Sequence, residues 1–302
     1  MIRAAVCKHL TYAFCSWPLV KRNVGCGPGK ANWTHAHYQL FLNPQEVKFN
    51  FVFPFPEHYR SVADDYEYFY KETYEAFLPY LMKSLDLKPH HVVADIGSGT
   101  GSIAENIFES FVLKNPVWCV DPSAEMQEVA RKRKGTYPVQ KTAEEFFSDP
   151  KISQSFDTIL AVFSTHHFAD PNTVYEGIFR SLRPSGSFVQ FDLVTHSHPT
   201  FKMASNSYNS YFQKVSERKE FLREIKFQGK FSQEEFSFAW YVTKSKLYEM
   251  FRRRYTSVLH QLRDEQIEEG IKELDSETLK DVRDNDLINC NSAVLVTKFE
   301  LD

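Results

Sequence analysis

Val92-Val93-Ala94-Asp95-Ile96-Gly97-Ser98-Gly99-Thr100-Gly101 opens as a short apolar run and ends in three glycines at alternate positions. With His91 ahead of it, the run reads as a buried strand. The glycines read as a turn into a helix that continues to about Leu113. Glycine lets the backbone turn tightly and come close to a ligand. The helix start behind the turn offers unpaired N–H groups and partial positive charge, which suit a carboxylate or a phosphate. The spacing is GxGxG with an aspartate two residues upstream, not GxGxxG, and this argues against a pyrophosphate ligand. A tight turn with a purely structural purpose is the other reading.

Downstream, short apolar runs alternate with helical patterns: strands at 117–120, 139–141, 156–162 and 187–192, and helices at 122–134 and 171–182. Strands alternating with helices imply βαβ units and a parallel sheet. Twenty residues after Gly101, Asp121 stands at the carboxyl end of the second strand, where an acid hydrogen-bonds a ribose diol. Capping the helix that begins at Pro122 is its alternative role.

The segments VVADIGSGTGSIAENI, VWCVDPSAEMQEVARKR, VQKTAEEF, FDTILAVFSTHHFAD and LRPSGSFVQFDL together resemble the class I S-adenosylmethionine-dependent methyltransferases, in particular the type 11 group. The resemblance covers about residues 59–194. It implies a Rossmann-like, doubly wound α/β fold of seven strands, with S-adenosylmethionine as cofactor. It further implies that Asp95, Gly97 and Gly99 line the methionine end and that Asp121 holds the ribose hydroxyls, with Ser98, Gly101 and Pro122 as further cofactor-binding positions. By the same resemblance, Ala143 and Glu144 lie against the adenine, Phe163 follows the fourth strand beside the cofactor, and Tyr59 belongs to a helix that covers it. Where the family usually has Gly-Asp before that Ala-Glu, this chain has Lys141-Thr142, a weaker acceptor for an adenine amino group.

A sulfonium methyl is already activated, so the protein must align a nucleophile and exclude water. A base is needed only for a nucleophile that arrives protonated. His166 and His167 follow the fourth strand, where the mouth of an open α/β sheet lies. One reading makes either of them a catalytic base; the other has them pack beside the cofactor. Residues 196–285 read as a mostly helical insertion before the last strand, with one strand-like run at 236–242, placed as a substrate lid. Tyr208, Arg254 and Tyr255 are its candidate acceptor contacts. Arginine binds carboxylates bidentately; the alternative for Arg252 to Arg254 is a solvated face paired with nearby glutamates.

The division expected is therefore 1–50 as an amino-terminal tail, 51–195 as the cofactor-binding core, 196–285 as the insertion and 286–302 as the final strand. Residues Glu57 to Leu87 carry aromatic and apolar side chains at helical spacing. The 302 residues carry a formal net charge of -3, which gives no electrostatic case for nucleic acid. No apolar run has the length of a membrane span. The five cysteines show no metal-ligand spacing, and no metal is expected. Their number is odd, which reads as reduced thiols in the cytoplasm. The stretch before Glu46 holds arginine and lysine but no acid, so a mitochondrial transit segment is the alternative. The expected activity is methyl transfer to a small-molecule acceptor by in-line displacement. A protein or RNA acceptor, a non-catalytic cofactor-binding protein and a nucleotide-dependent oxidoreductase are the alternatives. Oligomeric state is not legible.

Overall fold

The computed structural model describes residues 65–302. The tail, its transit-like reading and Tyr59 lie outside them. Among the described residues one seven-stranded sheet runs in the order β3-β2-β1-β4-β5-β7-β6. Its strands are β1 Val93–Ile96, β2 Val117–Val120, β3 Thr136–Val139, β4 Phe156–Val162, β5 Leu182–Ser197, β6 Gly229–Thr243 and β7 Leu287–Leu301. The first five pair in parallel; β7 runs antiparallel between β5 and β6.

The parallel strands are apolar on both faces because helices cover both. In β4, Leu160 and Val162 feed one core while Ile159 and Ala161 feed the other, the period of two that a pleated strand requires. The first core takes side chains from α1 (Tyr66–Ser84), α2 (Ser102–Ser110), α6 (Lys202–Glu224), α7 (Lys244–Arg252) and α8 (Asp264–Ser276). The second takes them from α4 (Ala143–Phe147) and α5 (Pro171–Ser181), with Phe221 and Leu222 from the end of α6.

Two expected boundaries move. The third strand is Thr136–Val139, not 139–141. Gly135, at φ +71°, turns the chain into the sheet early, and the Thr136 hydroxyl caps the preceding α3 (Ala124–Ala130) by donating to the Ala130 carbonyl at 2.7 Å. Pro138 is tolerated there because β3 is an edge strand that needs no N–H on its outer side. The strand-like run of the insertion is longer than its sequence pattern: β6 pairs with β7 from Gly229↔Leu301 to Thr243↔Leu287 and forms the other sheet edge.

Candidate active site

A cavity of about 220 Å³ opens at the carboxyl ends of β1, β2 and β4. Asp95, Gly97, Ser98, Gly99, Asp121, Pro122, Ala143, Glu144 and Phe163 all line it, so the structure gathers nine of the expected cofactor residues in one place. Gly101 is the exception. It is the N-cap of α2 at φ +74°, and a Cβ there would meet the Cβ of Ala130 at 3.2 Å. Its glycine serves helix packing, not the cavity.

The loop is shaped by its neighbours. Gly97 sits at φ +71°, and a Cβ on it would fall 2.3 Å from the Cβ of Ser164. Ser164 in turn donates to the Ile96 carbonyl at 2.6 Å, which locks the glycine turn to the segment after β4. Gly99, at φ +53°, has nothing within 4 Å of where a Cβ would stand. Phe163 also takes a left-handed backbone, φ +53°, a conformation uncommon outside glycine that marks a functional wall when the surroundings enforce it.

The two aspartates differ in their partners. Asp121 accepts the N–H of Gly99 at 3.0 Å and of Ser123 at 2.9 Å, so it holds the loop and the start of α3 together. Burial raises its carboxyl above the usual range, and these two N–H groups pull it back down. Asp95 is buried with no hydrogen-bond partner for its Oδ1 among the described residues. Burial, and then the charge of Asp121, push its carboxyl up to about 7. An unpartnered buried carboxylate is costly, and a cationic group entering the cavity relieves that cost.

At the far end, Thr142 caps α4: its hydroxyl accepts the N–H of Glu145 at 3.1 Å, and Glu145 reaches back to the Thr142 N–H at 3.0 Å. That capping box explains a threonine at this position. Glu144 accepts the N–H groups of Ala169 and Asp170, so its carboxylate pins the segment after β4.

The structure separates the two histidines. His167 lines the cavity; His166 is buried behind it, edge-on to Tyr211 at 5.3 Å between ring centres. Burial first, then the charge of Arg218, hold the His167 imidazole down at about 4. Arg218 lies on α6 and pairs with buried Asp192 at 3.4 Å while donating to Thr165 at 2.9 Å, which ties the insertion to the histidine turn.

The expected acceptor contacts are placed elsewhere. Arg254 pairs with Asp264 and donates to the Leu262 carbonyl, Arg252 pairs with Glu268, and Arg253 with Asp65. All three arginines are spent on helix-to-helix contacts. Tyr208 and Tyr255 are buried in a closed hydrogen-bonded group and do not line that cavity. Its proton positions follow by elimination. The Pro199 carbonyl can only accept, so His198 carries its proton on Nδ1, and Tyr255 donates to His198 Nε2 at 3.0 Å. With that proton spent, His196 Nε2–H donates to Tyr255 at 3.2 Å. Ser292 then donates to His196 Nδ1 at 2.7 Å and accepts the Trp240 N–H at 3.1 Å. Pocket lining is a tertiary property, and sequence pattern could not tell these tyrosines from wall residues.

Tyr66 and Tyr74, both on α1, line the cavity and hydrogen-bond to each other at 3.0 Å. The signal for them was the aromatic repeat at positions 66, 70 and 74, four residues apart on one helix face.

Residues 94–190 match the family described as methyltransferase domain. Residues 94–190 carry a methyltransferase domain, on a sheet with the class I methyltransferase fold. An uncharacterised methyltransferase of Bacillus subtilis, YcgJ, is 32% identical over 137 residues, 43% of this chain and 51% of its own. The ubiquinone/menaquinone biosynthesis C-methyltransferase UbiE of Geotalea daltonii is 25% identical over 142 residues, 45% of this chain and 58% of its own. The chain thus spans about half the length of the curated relatives it matches. The solved structure of phosphoethanolamine N-methyltransferase 2 of Haemonchus contortus shares the fold, with a TM-score of 0.50 at 18% identity, over 80% of this chain and 57% of that one. Methyltransferases of this class use S-adenosylmethionine. The cavity fits it: the orphaned Oδ1 of buried Asp95 suits the ammonium of its methionine part, and the open face of Gly99 leaves room for close approach. Among the described residues no cluster of side chains could hold a metal ion, and no helix is long and apolar enough to cross a membrane.

Proposed function

We propose that this methyltransferase transfers the methyl group of S-adenosylmethionine to a small-molecule acceptor by direct in-line displacement. When bound, the cofactor supplies an activated methyl on a positively charged sulfur. The protein's own residues then have three tasks. Asp121 presents a carboxylate, held by Gly99 and Ser123, to a ribose diol, while Asp95 faces the cationic end. Tyr66, Tyr74 and Phe163 wall the cavity with aromatic surface, which keeps water out and orients the acceptor. His167 offers a neutral imidazole at physiological pH, and a group held near 4 is a weak base. It serves to hydrogen-bond and position the acceptor, and an acceptor that reacts without prior deprotonation suits such a wall best.

The observation that carries this reading is the buried Asp95–Asp121 pair, one oxygen of it unpartnered, at the wall of a cavity behind a glycine turn. The likeness to UbiE, a C-methyltransferase of ubiquinone/menaquinone biosynthesis, supports the small-molecule class. Calorimetric titration with S-adenosylhomocysteine tests the cofactor, and acceptor screening with labelled S-adenosylmethionine tests the transfer. A folded protein that binds neither compound refutes the proposal. We place the protein in the cytoplasm, with mitochondria the alternative; a reporter fused to residues 1–45 that enters mitochondria reverses that choice.

A further inference from the structure

Arg133 does not line the cavity, yet one guanidinium joins two of its walls. It lies in the turn between α3 and β3, on backbone fixed by the Thr136 hydroxyl bonds to the carbonyls of Ala130 and Arg133. Gly135, two residues on, admits no side chain, since a Cβ would fall 2.0 Å from the Phe108 ring. From this anchor Nε donates to the Thr100 carbonyl at 2.8 Å, between two glycines of the loop. Nη1 binds Glu105 of α2 at 2.5 Å, and Nη2 pairs with Glu67 of α1. Glu67 adjoins Tyr66, a cavity wall residue. The Arg133 side chain is only 16% exposed, so this pairing is screened less than an ordinary surface ion pair.

We propose that Arg133 is a positioning residue for the cofactor: its three-way bond to the glycine loop, α2 and α1 latches the tyrosine-bearing helix against the loop. The inference rests on reading the cavity as the S-adenosylmethionine site. A planar guanidinium bonds three partners at once where an ammonium cannot hold the same fork. Opening of α1 lowers the binding-competent fraction, and apparent affinity falls with that fraction.

The test measures S-adenosylhomocysteine affinity and dissociation rate for wild type, Arg133→Lys and Glu67→Gln, at about 50 mM and about 500 mM salt. Both variants are expected to bind roughly five- to tenfold more weakly and to release the ligand correspondingly faster. Wild-type release should quicken with salt, whereas Glu67→Gln, lacking the charge, should not respond. A merely structural arginine would lower the melting temperature and leave the salt response of Glu67→Gln like wild type. Glu67→Gln is half-exposed and folds even if Arg133→Lys does not. Wild-type affinity and salt response retained in Glu67→Gln overturn the latch. Failure of folded wild type to bind at all overturns the cavity reading and the latch with it.

Discussion

Two buried polar groups stand at the carboxyl edge of the same sheet, and they are built in opposite ways. Asp95, near the end of β1, and Asp121, just after β2, border a cavity, and an oxygen of Asp95 has no protein partner among the described residues. His196, His198 and Tyr255, at the end of β5 and beyond α7, stand outside that cavity's lining, and the donors and acceptors that join them can all be matched. A buried polar atom costs free energy unless it is bonded. The first group therefore carries a debt that a ligand settles, while the second is complete without one. Polar burial alone does not mark a site; unfinished polar burial beside open space does.

The comparison can be broken most sharply at Tyr255. Tyr255→Phe strands both histidine nitrogens, each at about 1–3 kcal/mol, so stability measured by chemical denaturation should drop by several kcal/mol. Affinity for S-adenosylhomocysteine should hold; a large loss of affinity would move Tyr255 into the site. Asp121→Ala should do the reverse, weakening ligand binding at least tenfold, about 1.4 kcal/mol or more, as read by calorimetry.

Asp95 sharpens the contrast through pH. In the ligand-free protein its carboxyl titrates at about 7, above its ordinary 3.8. The folded state thus holds the proton more tightly than the unfolded one, and ionising Asp95 costs stability as pH rises from about 4 to about 7. A cationic ligand favours the ionised form. Binding then expels a proton, and affinity should climb by up to about tenfold per unit as pH rises toward 7 and level off above it. Asp95→Asn should flatten that slope. The histidines have the opposite sign. Burial holds His198 at about 4, below its ordinary 6.5, so stability should fall as pH drops from 6.5 toward 4. The smallest effect is expected at His167→Ala: kcat within roughly threefold of wild type, with the change appearing in acceptor KM. A far larger fall in kcat would make His167 the base after all.

What could be read in advance divides along the same line. The run from Val92 to Gly101 declares strand, turn and helix locally, and Asp121 follows at a fixed spacing, so the residues that line the cavity there were legible from residue types alone. Gly101 was misassigned because a glycine needed for φ +74° at a helix start has the same spelling as one needed for a ligand. Tyr208 and Tyr255 were misplaced because their partners come from elements far away in sequence, and Arg254 because the chain folds Leu262 and Asp264, 8 and 10 residues on, back against it. Arg218 and Arg133 were missed for the same reason: each acts across more than one element, and nothing nearby in the chain announces its partners.

The position of β7 has a consequence for how the protein is made. The ribosome delivers β5 and then β6 before any of β7, yet β7 is the strand that lies between them. Until residues 287–301 emerge, two long strand edges stand bare, each able to pair with another chain. The nascent protein is thus exposed to aggregation longest at its antiparallel end, while the parallel strands that hold the glycine turn are already complete.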